Sequence, residues 1–137
     1  MTASLLVNID VDDLERAVEF YTAALGLTVG RRFGALAVEL TGGTAPVYLL
    51  AKPDGSPASA ATGERRRYAR HWTPVHLDFV VDDLDAALAR AEAAGATLEG
   101  DPATHAWGRI AQLADPFGHG LCLIQLLGRG YDEIATG

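Results

Sequence analysis

The chain has 137 residues, 49% apolar and 21% charged, a globular composition sized for one ordinary domain or two half-size units sharing a core. A formal net charge of −7 argues against nucleic acid or an anionic membrane surface as the main partner. One cysteine, Cys122, closes no internal disulfide, no leader pattern is visible, and no apolar run approaches the roughly 20 residues of a bilayer span, so a cytoplasmic location is expected.

Leu5, Val7, Ile9 and Val11 alternate with Leu6, Asn8 and Asp10, predicting a first strand. Asp12 or Asp13 supplies an N-cap oxygen for a helix over about Asp13 to Leu25, and Gly26 offers a left-handed stop. Leu27–Val29, Ala35–Leu40 and Val47–Ala51 read as three further strands, giving a β-α-β-β-β unit over residues 4–52. Residues 53–72 show no period and read as a linker; the run Arg65-Arg66-Arg67 with Arg70 reads as a solvated loop.

The pattern then recurs over residues 73–127. Val75–Val81 is a strand, Asp82 or Asp83 caps a helix that Gly95 ends, and Ala96–Leu98, His105–Ala114 and Gly120–Leu127 are strands. Asp115-Pro116-Phe117-Gly118 is a turn, and His119, with His71 and His105 at loop edges, is expected at the surface. The tail 128–137 either frays or docks. Sliding one copy on the other by seventy residues puts Leu6 on His76, Asn8 on Asp78, Asp12 on Asp82 and Leu14 on Leu84.

This duplication resembles the vicinal oxygen chelate superfamily of glyoxalases, extradiol dioxygenases and bleomycin-resistance proteins. The residues that carry the likeness are Val11-Asp12-Asp13-Leu14-Glu15-Arg16-Ala17-Val18-Glu19-Phe20-Tyr21 with Leu25-Gly26-Leu27, and Asp115-Pro116-Phe117-Gly118-His119. The resemblance implies one α+β domain over residues 1–137, with tandem βαβββ modules forming a curved, cup-shaped mixed sheet and helices on its outer face. It also implies a homodimer.

Metal-dependent members of that superfamily carry ligands on the first and last strands of each unit, and the matching positions here are Leu6, Tyr48, His76 and Cys122. Leu6 has no donor atom and Tyr48 rarely ligates, which leaves His76 and Cys122 as residual candidates, too few for a site of useful affinity. Asp78 shares a face with His76 but lies two residues along, roughly 6.6 Å at strand rise. No cofactor is expected, with a divalent metal (zinc, nickel, manganese or iron) as the alternative.

Polar side chains within a cavity need partners or a ligand. His76 and Asp78 are accordingly the candidate catalytic residues, with Asn8, Tyr48, Trp107, Arg109 and Cys122 joining them as candidate ligand contacts. Two readings of His76 stand side by side: an imidazole bonded to Asp78 or a backbone group, and a general base or hydrogen-bond donor to a ligand. Cys122 reads as a small buried hydrophobe. The functional expectation is a bleomycin-resistance-type protein binding a small hydrophobic or aromatic molecule, with a lyase, isomerase or dioxygenase as the alternative.

Overall fold

The computed structural model describes residues 1–137, which form two compact units, Met1–Ala69 and Arg70–Gly137. In the first, β1 (Val7–Val11) is followed by α1 (Leu14–Leu25), β2 (Thr28–Phe33), β3 (Ala37–Thr41) and β4 (Val47–Ala51), in the sheet order β1-β4-β3-β2. β1 and β4 are parallel, and β4, β3 and β2 are antiparallel. The register Ile9–Leu49–Val38 and Val7–Val47–Leu40 sets these apolar side chains on one face. There they pack beneath the buried Leu14, Ala17, Val18, Tyr21 and Ala24 of α1. Each large side chain buried this way contributes roughly 1.5–3 kcal/mol.

Helix α1 starts where the sequence placed it because the Asp13 carboxylate accepts a hydrogen bond from the Arg16 backbone N–H at 3.1 Å. It stops at Gly26, whose φ of 69° lies in the left-handed region. Strand β2 runs four residues beyond the Leu27–Val29 expected for it. Its outer half carries exposed arginines rather than alternating apolar residues, and its pairing with β3 slips between Val29 and Arg32.

Residues 53–69 are not a structureless connector. Gly55 and Arg66, Arg66 and Ser56, and Ala58 and Glu64 exchange backbone hydrogen bonds of 2.7–2.9 Å, forming a small antiparallel arm on the first unit. Arg66 ties it down through Asp10 at 2.7 Å, and the Tyr68 hydroxyl donates to the Lys52 carbonyl at 2.7 Å. The arm shows no sequence period because backbone pairing and one ion pair hold it, not an apolar face. Three arginines of the run are thus structural: Arg66 and Arg65 here, the latter donating to the Gly55 carbonyl at 2.9 Å, and Arg70 in the second unit.

The second unit repeats the plan with β5 (Leu77–Val80), α2 (Leu84–Ala94), β6 (Thr97–Leu98), β7 (Ala103–His105), β8 (Gly108–Ala114) and β9 (Gly120–Leu126). Its sheet order is β5-β9-β8-β6, with β7 paired to β8. Leu113, Leu121, Ala111 and Leu123 face the buried Leu84, Ala87, Leu88 and Ala91 of α2. Asp83 caps α2 at the Ala86 N–H, 3.1 Å away, and Gly95 closes it with φ 119°.

The strand expected over His105–Ala114 is interrupted. Ala106 and Trp107 form a two-residue hairpin turn, with His105 opposite Gly108. A Cβ on Gly108 would lie 2.2 Å from the Gln125 carbonyl oxygen, so only glycine lets β8 lie against β9 there. The tail docks: Gly130–Glu133 form a short 3-10 helix, and the Tyr131 ring packs 5.2 Å from that of Trp107. No helix is long and apolar enough to cross a membrane.

Candidate functional site

Each sheet has a face turned away from its helix, and the strand registers place the same three-residue row on both. In the first unit the row is Asn8–Tyr48–Glu39; in the second it is Asp78–Cys122–Gln112. The duplication seen in the sequence therefore extends to these rows, in which the amide and carboxylate positions are exchanged and cysteine takes the place of tyrosine.

In the first unit the row is locked. The Tyr48 hydroxyl donates to Glu39 Oε2 at 2.8 Å, and Arg31 contributes its backbone N–H, Nε and Nη2 to the Glu39 carboxylate at 2.8–3.2 Å. Arg31 Nη2 also reaches the Tyr48 oxygen at 3.0 Å. Those bonds hold the Glu39 carboxyl down at about 2, with the Arg31 side chain the largest cause. Glycine at position 30 makes room for this, because an added Cβ there would lie 2.6 Å from Glu39 Oε1. Leu6 is half exposed and offers no donor atom.

The second unit assembles a different set. His76 Nε2 lies 3.4 Å from Asp78 Oδ1, and Asp78 accepts a hydrogen bond from the Cys122 thiol. Donor atoms of His76, Asp78 and Cys122 all lie within 4.8 Å of one another. The strand-rise spacing of His76 and Asp78 is bridged because His76 sits just before β5 begins, free of the pleat. Cys122 is buried, and its thiol is pushed up to about 11, first by desolvation and then by the Asp78 charge and hydrogen bond. It is a neutral thiol at physiological pH.

Four neighbours absent from the expected set adjoin this cluster. Arg70 binds Glu99 in a fork, Nε to Oε2 at 2.7 Å and Nη2 to Oε1 at 2.6 Å, while Gln112 Nε2 donates to Oε1 at 3.0 Å. Glu99 is held down at about 2, chiefly by the Arg70 hydrogen bonds and then by Gln112. The Trp72 ring stands 4.7 Å from that of His76, inclined 37°. Sequence reasoning passed over Trp72 because it precedes the strand and shares no period with it. Glycine at 120, three residues before the middle of an apolar strand, is the one hint that something approaches the backbone closely.

Two expected contacts lie elsewhere. Arg109 shares the parity of Ala111 and Leu113, so it emerges on the helix side and pairs with Asp85 of α2 at 3.1 Å. Trp107, in the hairpin turn, stacks on His105 at 5.1 Å and 10°. His119 is half-buried rather than exposed: its Nδ1 meets His71 Nε2 at 3.1 Å, and its N–H donates to the buried Asp115 carboxylate at 2.8 Å. A cavity of about 300 Å3 between Val80–Asp83 and the Ala86/Arg90 side of α2 includes none of the three clustered donors.

Residues 6–124 match the family described as Glyoxalase-like domain. The chain belongs to that family. Two curated relatives of this glyoxalase-like domain are the anthracycline biosynthesis proteins DnrV of Streptomyces peucetius and DauV of Streptomyces sp. strain C5, each 33% identical. The DnrV match covers 96% of this chain and 44% of that protein; the DauV match covers 88% and 40%. The domain thus spans less than half the length of the curated relatives it matches. A solved glyoxalase/bleomycin resistance protein/dioxygenase family enzyme from Burkholderia phytofirmans PsJN superposes with a TM-score of 0.70, covering 91% of this chain and all (100%) of that one at 23% identity. That likeness establishes the fold: an α+β arrangement of open mixed sheets, as the duplicated sequence implied.

Proposed function

We propose that this glyoxalase-like domain binds a small hydrophobic or aromatic molecule on the helix-free face of its second sheet, with His76 as the polar anchor. The observation that carries this reading is the His76–Asp78–Cys122 cluster: donors and acceptors gathered where no backbone needs them. With Nε2–H turned toward Asp78, Nδ1 is left as a lone-pair acceptor for a ligand hydroxyl, and Asp78 stabilises the imidazolium that proton transfer would create. The relatives' names support an aromatic ligand, since anthracyclines are polycyclic aromatic compounds. A homodimer, the habit of the superfamily, and a cytoplasmic location belong to the same proposal.

The test is calorimetric titration of the purified protein with a panel of aromatic compounds. Saturable binding weakened about tenfold by His76→Ala, the order of one hydrogen bond to a charged or polar group, is expected. No saturable ligand across the panel, or an unaltered affinity in the variant, would sink the reading.

A metal-dependent lyase or isomerase is the second reading, favoured by the same three donors. One nitrogen, one carboxylate oxygen and one sulfur leave an open position, the ligand count of a catalytic zinc site. His76, Asp78 and Cys122 would hold the ion, which would polarise a ligand oxygen; Leu6 and the locked Tyr48 contribute nothing. Binding must displace the Cys122 proton, so metal uptake should strengthen as pH rises. Metal content of protein purified without chelator, and the melting temperature with added zinc, nickel, manganese or iron, decide it: no metal and no shift exclude this version.

A further inference from the structure

Trp72 is held in place by more contacts than a solvent-facing ring ordinarily receives. One edge of the indole lies against β9 at Gly120, where an added Cβ would sit 2.4 Å from Cε3 and 2.5 Å from Cζ3. No other residue at 120 admits the ring. The Arg70 guanidinium lies over the ring, 5.8 Å from its centre, fixed by its fork to Glu99 and by a longer contact to the Gly118 carbonyl at 3.4 Å. The His76 ring stands 4.7 Å from that of Trp72, inclined 37°. The backbone between them is pinned as well, by His71 N–H to the Gly118 carbonyl at 2.9 Å. Yet Trp72 remains 45% exposed. A ring fixed by its surroundings and still open to solvent is preorganised surface, since its rotamer entropy is already lost before anything binds.

We propose that Trp72 is the stacking platform of the ligand site, and that Arg70 and Glu99 are positioning residues that set its plane beside His76. This rests on the preceding reading of the second sheet and narrows its ligand to flat aromatic molecules bearing an oxygen substituent. The ring stacks on the indole while the oxygen meets His76, 4.7 Å away. A globular aliphatic molecule of equal size gains nothing from a flat platform, so Trp72 confers selectivity rather than general affinity. Cation–π contact with Arg70 helps to hold the indole, while 45% of the residue stays exposed.

The experiment uses the whole chain carrying Trp107→Phe, which leaves Trp72 as the sole tryptophan, with the same variants also made in the unaltered chain. Anthraquinone sulfonate is the flat probe and adamantane carboxylate the globular one. Binding is read by Trp72 fluorescence and by calorimetry. Expected are saturable quenching by anthraquinone sulfonate, an affinity about tenfold lower in Trp72→Leu, and recovery of most of it in Trp72→Phe. Adamantane carboxylate should bind more weakly and change less than twofold across the same variants. Arg70→Gln should shift the Trp72 emission of the free protein to the red and weaken only the flat probe, with the melting temperature recorded to separate this from unfolding. If anthraquinone sulfonate binds but Trp72→Leu binds it equally well, the platform is overturned while the site reading stands. If neither probe binds while other compounds of the aromatic panel do, the platform falls alone; if nothing in the panel binds, both fall. Should Trp72→Leu fold poorly, Arg70→Gln carries the test, and an unaltered affinity of that variant for the flat probe overturns the proposal.

Discussion

Cys122 illustrates how one position changes meaning with its neighbours. In the sequence it is a lone thiol on an apolar strand; in the fold it is also the donor that Asp78 accepts, one strand over from His76. Burial is the largest reason its ionisation moves from 9.0 to about 11, and Asp78 supplies the remainder. The folded chain therefore holds this proton more tightly than the unfolded one. The stability from this group is present below pH 9 and is lost as pH rises toward 11. Asp78→Asn removes the charge and keeps the shape, so the thiolate absorbance should appear at a lower pH than in the unaltered protein. An unchanged titration would assign the whole effect to desolvation. Maleimide labelling of the native protein should be slow for the same reasons, and fast once the chain is unfolded.

Among the elements, the two helices were legible to within a residue, because their signals are local. An aspartate before the first apolar residue and a glycine after the last need no knowledge of the rest of the chain. Asp13→Ala and Asp83→Ala should each lower stability by about 1 kcal/mol in urea unfolding, the usual effect of losing a capping oxygen. A change within 0.2 kcal/mol or so would mean water replaces the cap. Strand boundaries were less legible where pairing rather than periodicity sets them. Alternation runs through Trp107 without pause, while the pairing of His105 with Gly108 makes the hairpin turn and β8 approaches β9 at Gly108 too closely for a side chain. Gly108→Ala should accordingly destabilise far more than Gly55→Ala, whose added Cβ meets nothing within 4 Å although its φ of 77° carries its own strain. Comparable losses would mean the β8–β9 strands part easily. The arm over residues 53–69 escaped detection for a related reason: its hold is the Arg66–Asp10 pair, 56 residues apart in sequence.

For the molecule as a whole, each unit carries one arginine–glutamate fork on its helix-free face, Arg31–Glu39 in the first and Arg70–Glu99 in the second. Both carboxyls are lowered from 4.5 to about 2. With depressed folded values, each contributes stability that is present above pH 4.5 and lost as pH falls toward 2. Both pairs are partly exposed, so the effect should be modest and weakened by salt. Glu39→Gln with Glu99→Gln should flatten the fall in melting temperature over that window; an identical acid profile would show that other carboxylates govern it.

The sequence alone determined the duplication, both helices with their caps, and the apolar faces of the strands, since each depends on residues a few positions apart. It also put His76 and Asp78 forward, by matching them to Leu6 and Asn8. Only the tertiary structure decided which polar groups meet. Cross-strand register brings Cys122 to Asp78, sheet parity sends Arg109 to the helix side, and a close approach to Gly120 seats Trp72 beside His76. Those relations join residues many positions apart, and no local period encodes them.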